Sequence, residues 1–272
     1  MTTPQGQRST ARARPAVDVE SSQRRTLIVG GGIGDAIAAA SPGQVVLASR
    51  MRPRHAGNVT HLEFDPVATP GLTEQVIDNA VGQLGGLDVV VTCAGARLHR
   101  GRLLDHAEAD WIEAYRANVL STLRILRHVV PVVAQSQQPV LVIVITAHDP
   151  LPNPHVAPYS AAEAALDVLT RVLAVDLASQ GIRVFAVAPA SRSTPRAGGL
   201  LPGRAAGHGH RPGIAAALSV VGGEQARLTI GQASARIPVV YFGHPTSAAV
   251  RILQLIDDPA AQAATYLVDS EG

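Results

Sequence analysis

The chain of 272 residues contains no lysine, because all 23 of its Lys+Arg residues are arginine. Composition reads that absence as a coding bias, yet it has a chemical consequence: where chemistry calls for a primary amine, no side chain can provide one. Cysteine is almost absent as well. The single Cys93 excludes an internal disulfide and reads as a small buried filler rather than a reactive thiol. No run of about 18 apolar residues suggests a membrane span. The formal net charge of +2 is too close to neutral to imply nucleic-acid binding. No apolar stretch follows the N-terminal arginines, so a secretory signal is not expected. The prolines there, with Asp18 and Glu20, weaken a mitochondrial reading. A cytoplasmic protein without internal repeats is the expectation.

What is present is a 46% hydrophobic content, enough for one large core. Residues 1–25 carry five Arg among Pro, Gln, Ser and Thr, and with so little to bury they are expected to form a disordered basic tail. From Thr26 the pattern changes to TLIV, then Gly30, Gly31 and Gly32, then Ile33-Gly34 and the helical DAIAAAS. A strand that ends in a glycine turn and opens a helix directs backbone N–H groups and the positive helix end at a site for pyrophosphate. The second strand, QVVLAS, ends at Arg50, with Arg52 and Arg54 beyond it. At that point of a doubly wound sheet an acid accepts from a ribose 2′-hydroxyl, whereas an Arg accommodates a 2′-phosphate.

VTHLEF leads to Asp65, and a helix is expected from about Leu72 to Gln83. LDVVVTCAGA is apolar almost throughout, as a central parallel strand covered on both faces should be. DWIEAYRANVLSTL predicts a helix, PVLVIVIT a buried strand ending on Thr146, and the stretch after Tyr159 a long helix running to the strand RVFAVAP. Residues 191–244 are rich in Gly, Pro, Arg and His and read as a substrate loop or lid. Their HGH triplet has no acid or thiol at metal-ligand spacing, so no metal site is expected. SAAVRILQLIDD and TYLVDSEG close the chain as a helix and a short strand.

In this order and at these intervals the segments resemble the short-chain dehydrogenase/reductase family. Gly32-Ile33-Gly34 matches the end of its Gly, three variable residues, GIG pattern. The first Gly would fall at Ile28, so the loop is about two residues short, with Gly30 and Gly31 compensating. Asp65 matches the acid that contacts the adenine amino group. Ala94-Gly95 retains half of the family's NNAG, the two Asn being Thr92 and Cys93. Asn118, seven residues after Trp111, matches an active-site Asn that supports a helix kink and a relay water. Thr194, five residues past Pro189, matches the Thr that binds the nicotinamide carboxamide. Thr146 stands at the position of the catalytic Ser, thirteen residues before Tyr159, and Glu163 stands where the family has Lys, four residues after the Tyr. The resemblance implies a single α/β domain over 26–272, with a Rossmann-type parallel sheet and helices on both faces. It also implies a nicotinamide dinucleotide, which Arg50 at the end of the second strand makes NADP(H), a small-molecule substrate and a homodimer or homotetramer.

The resemblance fixes where the chemistry departs. In the family the Lys cation favours ionisation of the Tyr and binds the ribose. A carboxylate at about 5 Å instead opposes that ionisation by roughly 3 kcal/mol at an effective dielectric of ~20, before solvent screening. With no lysine in the chain, none can be borrowed. Tyr159 can still donate a proton as a neutral phenol, Thr146 still offers a hydroxyl, and Glu163 can still accept from ribose hydroxyls. His148, Asp149 and His155, between Thr146 and Tyr159, are candidate replacements in acid/base work. The reading is an atypical reductase acting on an activated carbonyl or quinone-like substrate, by family analogy in secondary metabolism. A redox-silent enzyme catalysing dehydration, isomerisation or cyclisation, and a non-catalytic nucleotide-binding partner, are the alternatives on the same fold.

Overall fold

The computed structural model describes residues 23–53, 59–93, 95, 99–145, 155–189, 241–242, 245–259, 261 and 264–267. Its strands are β1 (Arg25–Val29), β2 (Gln44–Ser49), β3 (Val59–Glu63), β4 (Val89–Thr92), β5 (Val140–Val144), β6 (Arg183–Pro189), β7 (Tyr241–Phe242) and β8 (Ala264–Leu267). Between them run α1 (Ile33–Ala40), α2 (Thr73–Leu84), α3 (Glu108–Tyr115), α4 (Ser121–Val133), α5 (Ala157–Leu177) and α6 (Pro245–Asp257).

All the strand pairs are parallel, in the order β3-β2-β1-β4-β5-β6-β7, and β8 also pairs with β6. Parallel pairing requires crossovers, and crossovers cover both faces with helices, so the central strands must be apolar throughout. β4 shows the result: Val89, Val90 and Val91 are all buried. On one face, Ile77 of α2, Ile125 and Val129 of α4 and Leu166 of α5 pack with Leu27, Val90 and Leu141. On the other, Ile37 of α1 and Ile252 and Ile256 of α6 pack with Ile28, Leu47, Val91 and Phe185. The sheet grows from β1 outward to β3 and from β4 outward to β7. Between β1 and β4 the two loops therefore leave for opposite faces and open a crevice at the carboxyl ends of the strands.

At the opposite, amino ends, β1 and β4 are clamped by charge. Asp88 accepts from the Arg25 backbone N–H at 2.9 Å, from its guanidinium at 3.0 and 2.7 Å, and from the Ser136 hydroxyl at 2.7 Å. Burial pushes the Asp88 carboxyl up, but the hydrogen bonds from Arg25 and Ser136 outweigh it and bring the pKa down to about 2. Arg24 pairs with Asp257 at the end of α6 at 2.5 Å. β1 thus begins at Arg25 rather than at Thr26: Arg24 and Arg25 carry no apolar surface to announce a strand, but their charges have fixed partners. Residues 1–22, and all but two residues of the expected 191–244 loop, lie outside the described residues. No helix among the described residues is long and apolar enough to cross a membrane.

Candidate functional site

Three residues connect β1 to α1, which makes the loop as short as the glycine spacing implied. Gly30 donates its N–H to Ala48 O at 2.8 Å and turns the chain with φ 110, and Gly32 starts the helix with φ 70, a conformation that disfavours any side chain. A Cβ on Gly34 would stand 3.2 Å from Ile28 Cγ2, so that position lets α1 lie close on the sheet. Ile33 packs against the core layer of α1 and α6. Asp35, which the sequence reading passed over, accepts from the Gly32 N–H through Oδ2 at 3.1 Å. Its other oxygen is buried and has no partner among the described residues. An acid three residues after the residue that starts a helix is a capping spacing, and that signal was available.

At the end of β2, Arg50 is exposed and its Nε lies 4.0 Å from Asp65 Oδ2. The other carboxylate oxygen of Asp65 accepts from the Val67 and Ala68 N–H groups at 2.9 and 3.0 Å, which fixes the turn after β3. Arg50 and Asp65 join Gly30, Gly31, Gly32, Asp35, Cys93 and Gly95 around a crevice of about 320 Å³ at the switch point of the sheet. Burial pushes the Cys93 thiol up, and the Asp35 carboxylate adds to the effect, so this sulfur is a neutral thiol.

Gly95 joins this crevice to the second half of the site. With φ 142 it brings its Cα against Asn118, where a Cβ would overlap the amide oxygen Oδ1. Asn118 is fully buried and sits in a single π turn, Arg116–Leu120, between α3 and α4. There the Ser121 N–H reaches back to Arg116 O, and two hydroxyls bond back to carbonyls of the turn: Thr122 Oγ1 donates to Asn118 O at 2.8 Å and Ser121 Oγ to Ala117 O at 2.6 Å. Asn118 Nδ2 donates to Ala114 O at 2.8 Å. Helix α5 packs on this turn. It carries Tyr159, half-buried, and one turn on Glu163, only 5% exposed. Before α5, His155 O accepts from the Gly101 N–H at 3.1 Å.

Of the residues singled out in the sequence, Gly30, Gly32, Arg50, Asp65 and Gly95 line the crevice. Ile33 and Gly34 begin α1 against the core and the sheet rather than in the crevice lining. Asn118 lies against Gly95, and Tyr159 and Glu163 are on the helix beside the π turn. Ala94, Thr146, His148, Asp149 and Thr194 lie outside the described residues. No group of three metal-binding side chains occurs among the described residues.

A family model described as enoyl-(acyl carrier protein) reductase matches residues 32–214. The chain is 35% identical over 120 residues to 4-formylbenzenesulfonate dehydrogenase of Comamonas testosteroni, covering 44% of this chain and 48% of that one. It is 31% identical over 172 residues to dehydrogenase/reductase SDR family member 4 of Sus scrofa, covering 58% and 61%. The chain thus spans about half to three-fifths of the length of these relatives. The ligand-free structure of the aldohexose dehydrogenase of Thermoplasma acidophilum shares the fold, with a TM-score of 0.67 and 23% identity over 92% of this chain and 94% of that one.

Proposed function

The chain belongs to the short-chain dehydrogenase/reductase family, and from that premise we propose that it is an NADP(H)-dependent reductase in which Glu163 has altered proton delivery. The observation that carries the reading is the crevice itself: bare glycine backbone at the start of α1, a cation at the end of β2 and Asp65 beside it. A dinucleotide fits these residues. Gly30 to Gly32 would present no side chains to a pyrophosphate, Arg50 would meet a 2′-phosphate, and Asp65 Oδ2 would accept from an adenine amino group. Asp35 is the one discordant charge, since its carboxylate holds an N–H of the helix start that an anion would otherwise use. When bound, the reduced nicotinamide supplies the hydride.

The remaining steps belong to the chain's own groups. Tyr159 donates a proton to the substrate oxygen as a neutral phenol, with the Thr146 hydroxyl as second donor. Asn118 lies in the π turn on which the helix carrying Tyr159 packs. A carboxylate buried at position 163 opposes formation of a phenolate at Tyr159, so catalysis that depends on ionised Tyr159 is disfavoured. Alcohol oxidation suffers first. Reduction is favoured for quinones, conjugated enones and other acceptors whose reduced anion is stable without prompt protonation.

Steady-state NADPH oxidation tests this with a quinone and an unactivated ketone of similar size. Wild type should reduce the quinone and turn over the ketone poorly. Glu163→Lys should raise ketone reduction about tenfold, close to 1.4 kcal/mol of barrier, with little gain on the quinone. Efficient ketone reduction by wild type that falls on substitution would sink the reading. The burial of Glu163 also favours a second reading, proton transfer without redox change, which product formation without cofactor turnover would reveal. Assembly is part of the proposal: exposed apolar side chains on α3 and α5 suit a homodimer or homotetramer.

A further inference from the structure

We propose that His61 is a positioning residue for the cofactor's 2′-phosphate, acting through Ser49 to hold the turn that carries Arg50; this rests on the NADP(H) reading above. His61 lies on the edge strand β3, in register with Leu47 of β2. Its Nε2 is 3.1 Å from the Ser49 carbonyl oxygen and 3.1 Å from Ser49 Oγ. The Ser49 hydroxyl donates to Met51 O at 2.8 Å, so its proton is committed and its oxygen is left to accept. A carbonyl can only accept. Both contacts therefore require an N–H at Nε2, and the serine sets the tautomer of the ring.

The consequence is a braced turn. The carbonyl of residue 51 is tied back to the side chain of residue 49, the carbonyl of residue 49 also accepts from the Phe64 N–H at 3.1 Å, and Arg50 stands at the apex. Arg50 is itself hardly restrained, with its side chain 71% exposed and its contact to Asp65 at 4.0 Å. A long exposed cation recognises a phosphate well only if the backbone beneath it is already fixed, because otherwise binding must also order the turn. Ser49 also lies near the glycine loop: a Cβ added at Gly31 would be 3.9 Å from Ser49 Cβ. One buried serine thus sits under both the glycine loop and the Arg50 turn, and His61 holds it from the side.

Dissociation constants for NADPH and NADH, measured by fluorescence titration of the full chain, decide the matter. His61→Leu should weaken NADPH about fivefold, the size of one lost hydrogen bond, and leave NADH within about twofold. His61→Gln, whose amide N–H reaches the Nε2 position, should restore the wild-type ratio, and Ser49→Ala should lower it as His61→Leu does. A folded His61→Leu with the wild-type ratio would overturn the proposal. Should that variant fail to fold, Ser49→Ala decides by the same criterion. A wild type with no preference for NADPH removes the cofactor reading and this proposal together. A preference abolished by Arg50→Ala but untouched by His61→Leu and Ser49→Ala removes this proposal alone.

Discussion

Gly95 is the residue at which the two halves of the crevice meet, and it tolerates no side chain for two reasons. Its φ of 142 suits glycine, and a Cβ would overlap the Asn118 amide oxygen. Gly95→Ala is expected to destabilise the fold by about 1–3 kcal/mol, because either the strand end or the π turn must move. Urea unfolding of the single and double variants measures the coupling. If the close approach is the cause, Gly95→Ala should cost measurably less in an Asn118→Ala background, and equal costs in both would show that backbone strain alone is responsible. Asn118 has no freedom of its own, being held to Ala114 O and packed without exposure.

Among the elements, β1 and β4 depend at their amino ends on the Arg25–Asp88–Ser136 clamp. The folded pKa of Asp88, about 2, lies below that of an ordinary carboxylate. Its contribution is therefore fully present above about pH 4 and is lost as pH falls through about 2. After discounting for solvent screening it is on the order of 1 kcal/mol. Denaturant unfolding of wild type and Asp88→Asn should show a stability gap that is constant at pH 5 and above and shrinks between about pH 4 and pH 2. A gap independent of pH would mean that Asp88 acts through its shape alone. These same elements show what a sequence makes legible. The run VVV of β4 must be buried on both faces, and Ser41-Pro42-Gly43 must end α1, so the buried strand and the end of the helix follow from composition and periodicity, whereas the sheet architecture follows only from the family resemblance. Asp88 precedes that run as an ordinary loop acid, and only pairing with a residue 63 positions away makes it a clamp. The π turn is hidden from composition for another reason: RANVL contains no helix breaker, and in the sequence only the resemblance of Asn118 to a kink-supporting Asn points to it, while in the structure the hydroxyls of Ser121 and Thr122 bond back to Ala117 O and Asn118 O. Within the site, the glycine loop and Arg50 were legible from position, whereas the bond between Ser49 and His61 joins two strands and leaves no local trace.

For the whole molecule, the proposed homo-oligomer would cover apolar side chains that α3 and α5 leave exposed. Val168, Val172 and Val175 of α5 are 54%, 54% and 61% exposed, and Ile112 and Tyr115 of α3 are 44% and 45% exposed. Spacings of four and three residues put the three valines on one stripe, which a second copy would cover. Light scattering at micromolar concentration is expected to give a dimer or tetramer, and Val172→Arg to shift it towards monomer; a monomeric wild type would contradict the assembly. Helix α3, the π turn and α4 also form one uninterrupted rod whose two ends serve different purposes. One supernumerary residue at 3.6 residues per turn rotates the azimuth of everything before it by about 100° relative to everything after it. The amino-terminal half can therefore set Trp111 edge-on to His106, with ring centroids 6.4 Å apart, while the carboxy-terminal half drives Ile125 and Val129 into the sheet. Deleting any single residue between positions 116 and 120 would leave a perfectly good α-helix and a misaimed one, with the phase of α3 wrong for every contact it makes.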